Sequence, residues 1–192
     1  MKKILFSLLT LILTLSFSVG YAAGSSTLPK DIKYTISPLF GYESVFRATP
    51  TPHTLTHTMY GARLTAGTDL ISGELEYTKG SDTENFLVAP QLIATDDEKV
   101  KLGIKSTYRF NDVLFASGRI GGQAKKSVRT ETSNGVAVKI EDPIAYDPYA
   151  GASLGVKLGP VSISAGATAV IHSTTDNSKN DIQNTLSISL GI

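Results

Sequence analysis

Cysteine is absent from this sequence. That excludes a disulfide framework and a thiolate metal site. It also excludes an N-terminal lipoprotein, which needs a cysteine at the processing point. A charge of one sign is missing too: 18 Lys and Arg stand against 17 Asp and Glu, for a net charge of +1. Such a balance gives no reason to expect nucleic acid or a polyanionic partner. Long apolar runs are lacking, with one exception at the N-terminus. There Lys2 and Lys3 precede the apolar run Ile4 to Val19, and small residues follow at Gly20, Ala22, Ala23 and Gly24. This is the pattern of a secretory signal peptide, 1–22, with cleavage after Ala22 or as late as Gly24. Beyond it nothing approaches the roughly 18 apolar residues of a spanning helix. The expectation is an exported chain in which residues 23–192 form one domain without a helical membrane span.

What that domain does have is alternation. Eight runs of period 2 recur, separated by Gly, Asp, Asn and Pro signals. They cover about Ile32 to Arg47, Thr58 to Gly67, Leu70 to Thr78, Val100 to Phe110, Val113 to Gln123, Tyr149 to Leu158, Val161 to His172 and Asn184 to Ile192. Three connections are tight: Gly67-Thr68-Asp69, Asn111-Asp112 and Gly159-Pro160. The four others read as long polar loops, about Ala48 to His57, Lys79 to Lys99, Ala124 to Pro148 and Ser173 to Gln183. Short turns alternating with long loops are the asymmetry of an outer-membrane barrel.

Period 2 alone does not separate a barrel in lipid from a sheet around a soluble core. The polar faces are the discriminating feature. They carry Glu43, Arg63, Glu74, Glu76, Lys101, Lys105, Arg109, Arg119 and Lys157 among Gly, Ser and Thr. Long and small polar side chains can interlock inside an eight-stranded barrel, whose interior is just wide enough for side chains to fill. The apolar faces of the sixth and seventh runs are mostly Ala, Val, Ile and Leu, which suits a lipid belt better than a thin packed core. Tyr34, Tyr42, Phe46, Tyr60, Tyr77, Tyr108, Phe110 and Tyr149 lie near strand ends, as interfacial girdles do. The expected fold is therefore all-β: an up-and-down antiparallel transmembrane β-barrel of eight strands. Its lumen charges should pair, with Glu74 and Glu76 meeting Arg63 on one side and Lys101 or Lys105 on the other. These three acids and six bases leave an excess of cations, for which Asp96, Asp97 and Glu98 are candidate partners. Ten strands is the alternative, if Phe86 to Ala94 forms one extra strand and Ser127 to Glu141 another.

Three segments resemble a known family. "KLGIKSTYRFNDVLFASGRIGG" (101–122) is a strand, a tight turn and a strand. "DPYAGASLGVKLG" (147–159) is close to a Pro-Tyr-x-Gly-Ala-x-x-Gly pattern. "LSISLGI" (186–192) is similar to a last-strand signal. Together they resemble the small eight-stranded outer-membrane barrels related to the OmpA transmembrane domain and the opacity-type proteins. The resemblance implies a porin-like cell-envelope protein in the bacterial outer membrane. It implies contact with outer-membrane lipid, handling by the barrel assembly machinery through the C-terminal strand, and a monomer. The surface partner is unknown. One departure stands out: such chains usually end in Phe, Tyr or Trp, and this sequence ends in Ile192. No peptidoglycan-binding domain is expected after the last strand.

Catalytic and metal chemistry find little support. His172-Ser173-Thr174 lies where some lipid-modifying barrels keep a His and a hydroxyl. Neighbouring strand residues point to opposite faces, however, so His172 and Ser173 would not cooperate. The His-x-Ser pair of lipid A deacylases is absent. His53 and His57 are four apart, which suits a metal on a helix, but Pro50 and Pro52 argue against a helix, so loop polarity is expected. Gly121-Gly122 reads as a bulge or bend. No catalytic residue, metal site or cofactor is expected. The expected role is structural or a surface interaction through four extracellular loops, with the lumen mostly plugged by salt bridges. The alternatives are a narrow anion-preferring pore, a lipid-modifying enzyme and a soluble lipocalin-like binder.

Overall fold

A computed structural model of the chain describes residues 32–47, 52–87, 90, 92–173, 175–176 and 179–191. The expected signal peptide lies outside the described residues. Nine strands follow in order: β1 (Lys33–Arg47), β2 (His53–Gly67), β3 (Ser72–Asn85), β4 (Leu92–Arg109), β5 (Leu114–Ser133), β6 (Val136–Glu141), β7 (Ala145–Leu158), β8 (Val161–Val170) and β9 (Asp181–Gly191). All pair antiparallel, and eight of them close into a ring, β1-β2-β3-β4-β5-β7-β8-β9, with β9 returning to β1.

The stagger of the ring can be followed residue by residue. Lys33 pairs with Gly67, Gly67 with Ser72, Ser72 with Lys105, and Lys105 with Arg119. Arg119 pairs with Gly151, Gly151 with Thr168, Thr168 with Gln183, and Gln183 with Glu43. One circuit climbs from Lys33 to Glu43, a shear of ten residues. Strand tilt and stagger of this kind leave an interior that side chains can fill.

The burial pattern is inverted relative to a water-soluble sheet. Among the described residues six apolar side chains are buried: Leu39, Val45, Met59, Ile93, Tyr149 and Val170. Twenty polar or charged ones are buried, including Glu43, Glu74, Glu76, Lys99, Lys101 and Arg119. Meanwhile Phe40 is 59% exposed, Leu102 54%, Ile104 54%, Ile120 56% and Leu186 52%. In water that arrangement would forfeit the main driving force of folding. Against lipid it is the expected one, because the backbone is satisfied by ring closure and the apolar faces need only be apolar. The opening of β1 shows the parity: Tyr34, Ile36, Phe40 and Tyr42 face out, while Ser37, Leu39 and Glu43 face in.

The three tight turns form as expected. Asn111 accepts hydrogen bonds at Oδ1 from the backbone N–H of Val113 (2.8 Å) and Leu114 (2.7 Å), closing β4 onto β5. Gly159 closes β7 onto β8 in the left-handed region, at φ 66°. The long connections are mostly not loops. β3 runs on to Asn85 and β4 begins at Leu92, so the connection between them is 86–91. β5 runs to Ser133 and folds back through Asn134-Gly135 (φ 50° and 79°) into β6. That pair suits a tight hairpin turn, which needs φ > 0 at both central residues. The ladder continues while the outward side chains turn polar, as in the outward pair Lys79–Glu98 at 3.0 Å. The hydropathic alternation therefore ends before the strand does. β4 with 18 residues and β5 with 20 exceed the roughly 9–11 that cross a bilayer.

The ten-strand alternative is not what forms. β6 hydrogen-bonds β5 only and stays outside the ring, and Leu92 to Ala94 belongs to β4. Gly121-Gly122 marks no bulge, since the registers of β5 with β4 and with β7 run through it without a skip. His53 and His57 are not loop residues but lie on β2.

Candidate functional site: a charged lumen

The lumen has two unlike walls. β7, β8, β9 and β1 contribute small hydroxyl side chains, tied by Ser117–Ser153 from β5 to β7 (2.7 Å), Ser164–Ser187 (2.8 Å) and Ser37–Ser189 (2.7 Å). β2 to β5 contribute most of the long charged ones, joined by Glu43 of β1 and Asp181 of β9.

At the waist, Glu76 of β3 sits between three cations. Arg63 of β2 reaches it at 2.7 Å, Lys101 of β4 at 2.6 Å and Arg119 of β5 at 2.6 Å. Arg119 also donates to Glu74 at 3.1 Å and, over Gly151 of the intervening β7, to Thr168 of β8 at 2.7 Å. Tyr149, expected in an outer girdle, lies in the lumen instead, 2% exposed, and donates its hydroxyl to Glu74 at 2.8 Å. Its ring lies 5.4 Å from the Arg119 guanidinium and 5.9 Å from the Lys101 ammonium, within cation–π range. A Cβ at Gly103 or Gly121 would collide with the Tyr149 hydroxyl, so both glycines make room for it.

The next layer is centred on Glu43. Lys99 donates to it, Gln183 donates from Nε2 at 2.6 Å, and the His57 Nε2 stands 3.1 Å away. Lys101 also donates to Gln183 Oε1, which joins the two layers. Above these, Lys125 lies 3.2 Å from Asp97 and 3.8 Å from Asp181, and Ser127 donates to Asp97 at 2.5 Å. Glu43, His57 and Asp97 bring ligand atoms within 4.8 Å of one another. The Lys99 ammonium already supplies positive charge there, bonded to Glu43 and 3.7 Å from Asp97.

The two ends differ. At the loop end, His172 is held by Asp147 on Nδ1 (3.0 Å) and by Asp181 on Nε2 (2.9 Å). The Asp181 hydrogen bond raises its pKa above 6.5 against the opposing effect of burial. With both ring nitrogens engaged by carboxylates, neither is left to activate a hydroxyl, and Ser173 instead accepts from the backbone N–H of Asp176 at 3.1 Å. At the turn end, Lys33 and Arg109 share Asp69 at 2.9 and 2.8 Å. Burial alone would raise the Asp69 carboxyl; the Lys33 hydrogen bond and the Arg109 charge outweigh it, and the pKa falls below 3.8.

The structure therefore brings Glu43, Arg63, Glu74, Glu76, Lys101 and Arg119 together in the lumen. Three expected members sit elsewhere. Lys105 faces inward nearer the turn end, with no carboxylate within ion-pair distance among the described residues, so Glu74 and Glu76 do not take it as partner. Arg109 and Lys157 stand at the mouth, exposed, because they fall on the last inward positions of β4 and β7. The loop acids do not balance the excess among these bases: Asp97 turns inward but pairs with Lys125 and Lys99, Asp69 takes Arg109, and Asp96 and Glu98 point outward. Sequence reasoning missed Lys99, Lys125, Gln123, Gln183 and His57. All have inward parity when the alternation of their strands is extended by a few residues.

No protein-family model and no curated protein matches the sequence. Solved structures do match in shape. The N-terminal β-barrel domain of Pseudomonas aeruginosa OprF aligns with TM-score 0.55 at 13% identity, over 83% of this chain and 97% of that one. Neisserial surface protein A aligns with TM-score 0.57 at 9% identity, over 83% and 96%. Ail, the attachment invasion locus protein of Yersinia pestis, aligns with TM-score 0.51 at 15% identity, over 84% and 97%. The fold is that of the small outer-membrane β-barrels. In this barrel, the inverted burial and the ring of eight strands agree with that likeness.

Proposed function

We propose that the chain is a bacterial outer-membrane β-barrel that acts through its loop end and keeps its lumen closed. The observation that carries this reading is the inversion itself: Glu76 and Lys101, paired across β3 and β4, are 0% exposed inside the ring while Leu102, next to Lys101 on the outer face, is 54% exposed. A charged waist with every cation on a carboxylate favours a plug over a pore. In this reading residues 1–22 are a signal peptide and the loop end faces the cell exterior. The β5–β6 hairpin projects there, and surface or structural work is done by that end without catalysis. The C-terminal segment 186–192, which includes the end of β9, is what the assembly machinery handles, and the working form is a monomer in outer-membrane lipid. Two of the similar structures bear on the surface role by name, a surface protein and an attachment invasion locus protein.

Fractionation tests the location: the protein should co-sediment with outer membranes, resist carbonate extraction and show heat-modifiable gel mobility. Recovery in the soluble periplasmic fraction would reject it. Planar-bilayer recording of the refolded protein tests the plug. Silence is expected, and steady anion-selective single-channel currents would replace the plug with the narrow pore.

A further inference from the structure

The lumen does not end at the charged waist. Toward the turn end it opens into a cavity of about 300 Å³, room for about ten waters at their liquid volume. Its lining is unlike that of the layers above. Four cations reach it, Lys33, Lys105, Arg109 and Lys157, and among the described residues the one carboxylate in its lining is Asp69. Asp69 is already shared by Lys33 and Arg109. Lys105 and Lys157 have no carboxylate within ion-pair distance among the described residues. The cavity therefore carries three positive charges in excess, on walls of which Thr107 and Ser162 supply further hydroxyls. The layers above show the opposite design, with each buried cation set against an acid or an amide.

Unpaired cations in a narrow, partly desolvated mouth repel one another and favour an anion from solution. We propose that this cavity is a binding site for a phosphate-class anion. One tetrahedral oxyanion can accept from Lys105 on the inner side and Lys157 on the outer side, with Arg109 as a forked donor and the hydroxyls completing its shell. The waist closes the site behind it, since Glu76 with Arg63, Lys101 and Arg119 blocks passage. The anion is thus held at a dead end rather than conducted. This goes beyond the surface role proposed above and does not rest on it.

The test uses the refolded, isotopically labelled protein in an uncharged maltoside detergent, titrated with inorganic phosphate against sodium chloride at equal ionic strength. Saturable amide shifts are expected at Thr107, Lys157 and Ser162, with none at Asp97 or Asp181. Lys105→Gln should weaken binding at least tenfold. Lys157→Gln, at an exposed position that leaves the fold intact, should weaken it several-fold and keeps the test usable if the first variant does not refold. A second arm adds phosphatidylglycerol to the micelles in place of phosphate. The same shifts with the lipid assign the anion to a headgroup, and shifts with inorganic phosphate alone assign it to a soluble phosphate; either supports the site. Shifts that merely follow ionic strength, shifts absent in both arms, or affinity unchanged in both variants would overturn it.

Discussion

Glu76→Gln is the sharpest single perturbation of the lumen, because it keeps the shape and removes the charge. Glu76 accepts from Arg63 Nε at 2.8 Å, Lys101 Nζ at 2.6 Å and Arg119 Nη1 at 2.6 Å, and it is fully buried. Without its charge, Glu74 is the one carboxylate left in the waist against those three cations. Breaking a buried ion pair from one side typically costs about 3–5 kcal/mol. With a urea slope near 2 kcal/mol per molar, that moves the unfolding midpoint down by about 2 M. The protein has no tryptophan, so the assay is heat-modifiable gel mobility after equilibration in urea with lipid vesicles. The same logic makes a second variant informative. Lys101→Met on top of Glu76→Gln removes one orphaned cation, and the double variant should recover about 1–3 kcal/mol relative to the sum of the singles. A cost for Glu76→Gln below about 1 kcal/mol, the range of exposed pairs, together with additive behaviour of the double, would show that these charges are solvated and not a buried network.

Three other outcomes follow from the same geometry. The folded-state pKa of His172 is raised, chiefly by its Asp181 hydrogen bond, so the stability it contributes is fully present below about pH 6.5 and is lost as pH rises through the raised value. The protection factors of amides in the 171–180 connection, with the intrinsic base-catalysed rate divided out, should fall over that window in the wild type and stay flat in His172→Gln; a pH-independent protection factor in the wild type would contradict the contact. Gly121→Ala places a Cβ against the Tyr149 hydroxyl at 2.8 Å and should cost about 1–3 kcal/mol. Gly122→Ala meets nothing within 4 Å and should change stability by less than about 0.5 kcal/mol, so equal urea midpoints for the two would refute the close approach of the Leu102–Gly103 backbone and the Tyr149 hydroxyl to Gly121. Leu102→Arg on the outer face should cost about 2–4 kcal/mol in bilayers. Val138→Arg on β6 should be near neutral, and the reverse order would put lipid in the wrong place.

Much of the ring was legible from the sequence, and the particular misses have a common cause. Within the lipid-facing belt the two faces differ in kind, as at Leu102 beside Lys101, so alternation marks each strand there. Beyond the belt both faces are polar. Lys79 and Glu98 face out, Lys99 and Asp97 face in, and the hydropathy no longer oscillates although the ladder continues. Lys99, Lys125 and His57 were lost for that reason. Extending the parity of β2, β4 and β5 by a few residues would have placed each of them inward. Tyr149 was misread because an aromatic near a strand end suits a girdle. Its parity with Gly151 and Ser153 was the contrary signal, together with Gly103 and Gly121 on the facing strands. The contacts of Arg119 with Thr168 over β7 and of Lys101 with Gln183 across the lumen depend on the register and shear of the ring, which no single strand encodes.

The central claim is that this barrel is inverted, with lipid outside and polar packing within. Because the chain has no native cysteine, single-cysteine spin labels report it cleanly. Leu186 and Ser187 are neighbours on β9, 52% and 4% exposed on opposite faces. In bilayer vesicles, a label at Leu186→Cys should be strongly relaxed by membrane-dissolved oxygen and shielded from a water-soluble paramagnetic reagent. A label at Ser187→Cys should be immobilised and protected from both. A label at position 186 that responds to the aqueous reagent and not to oxygen would contradict the account.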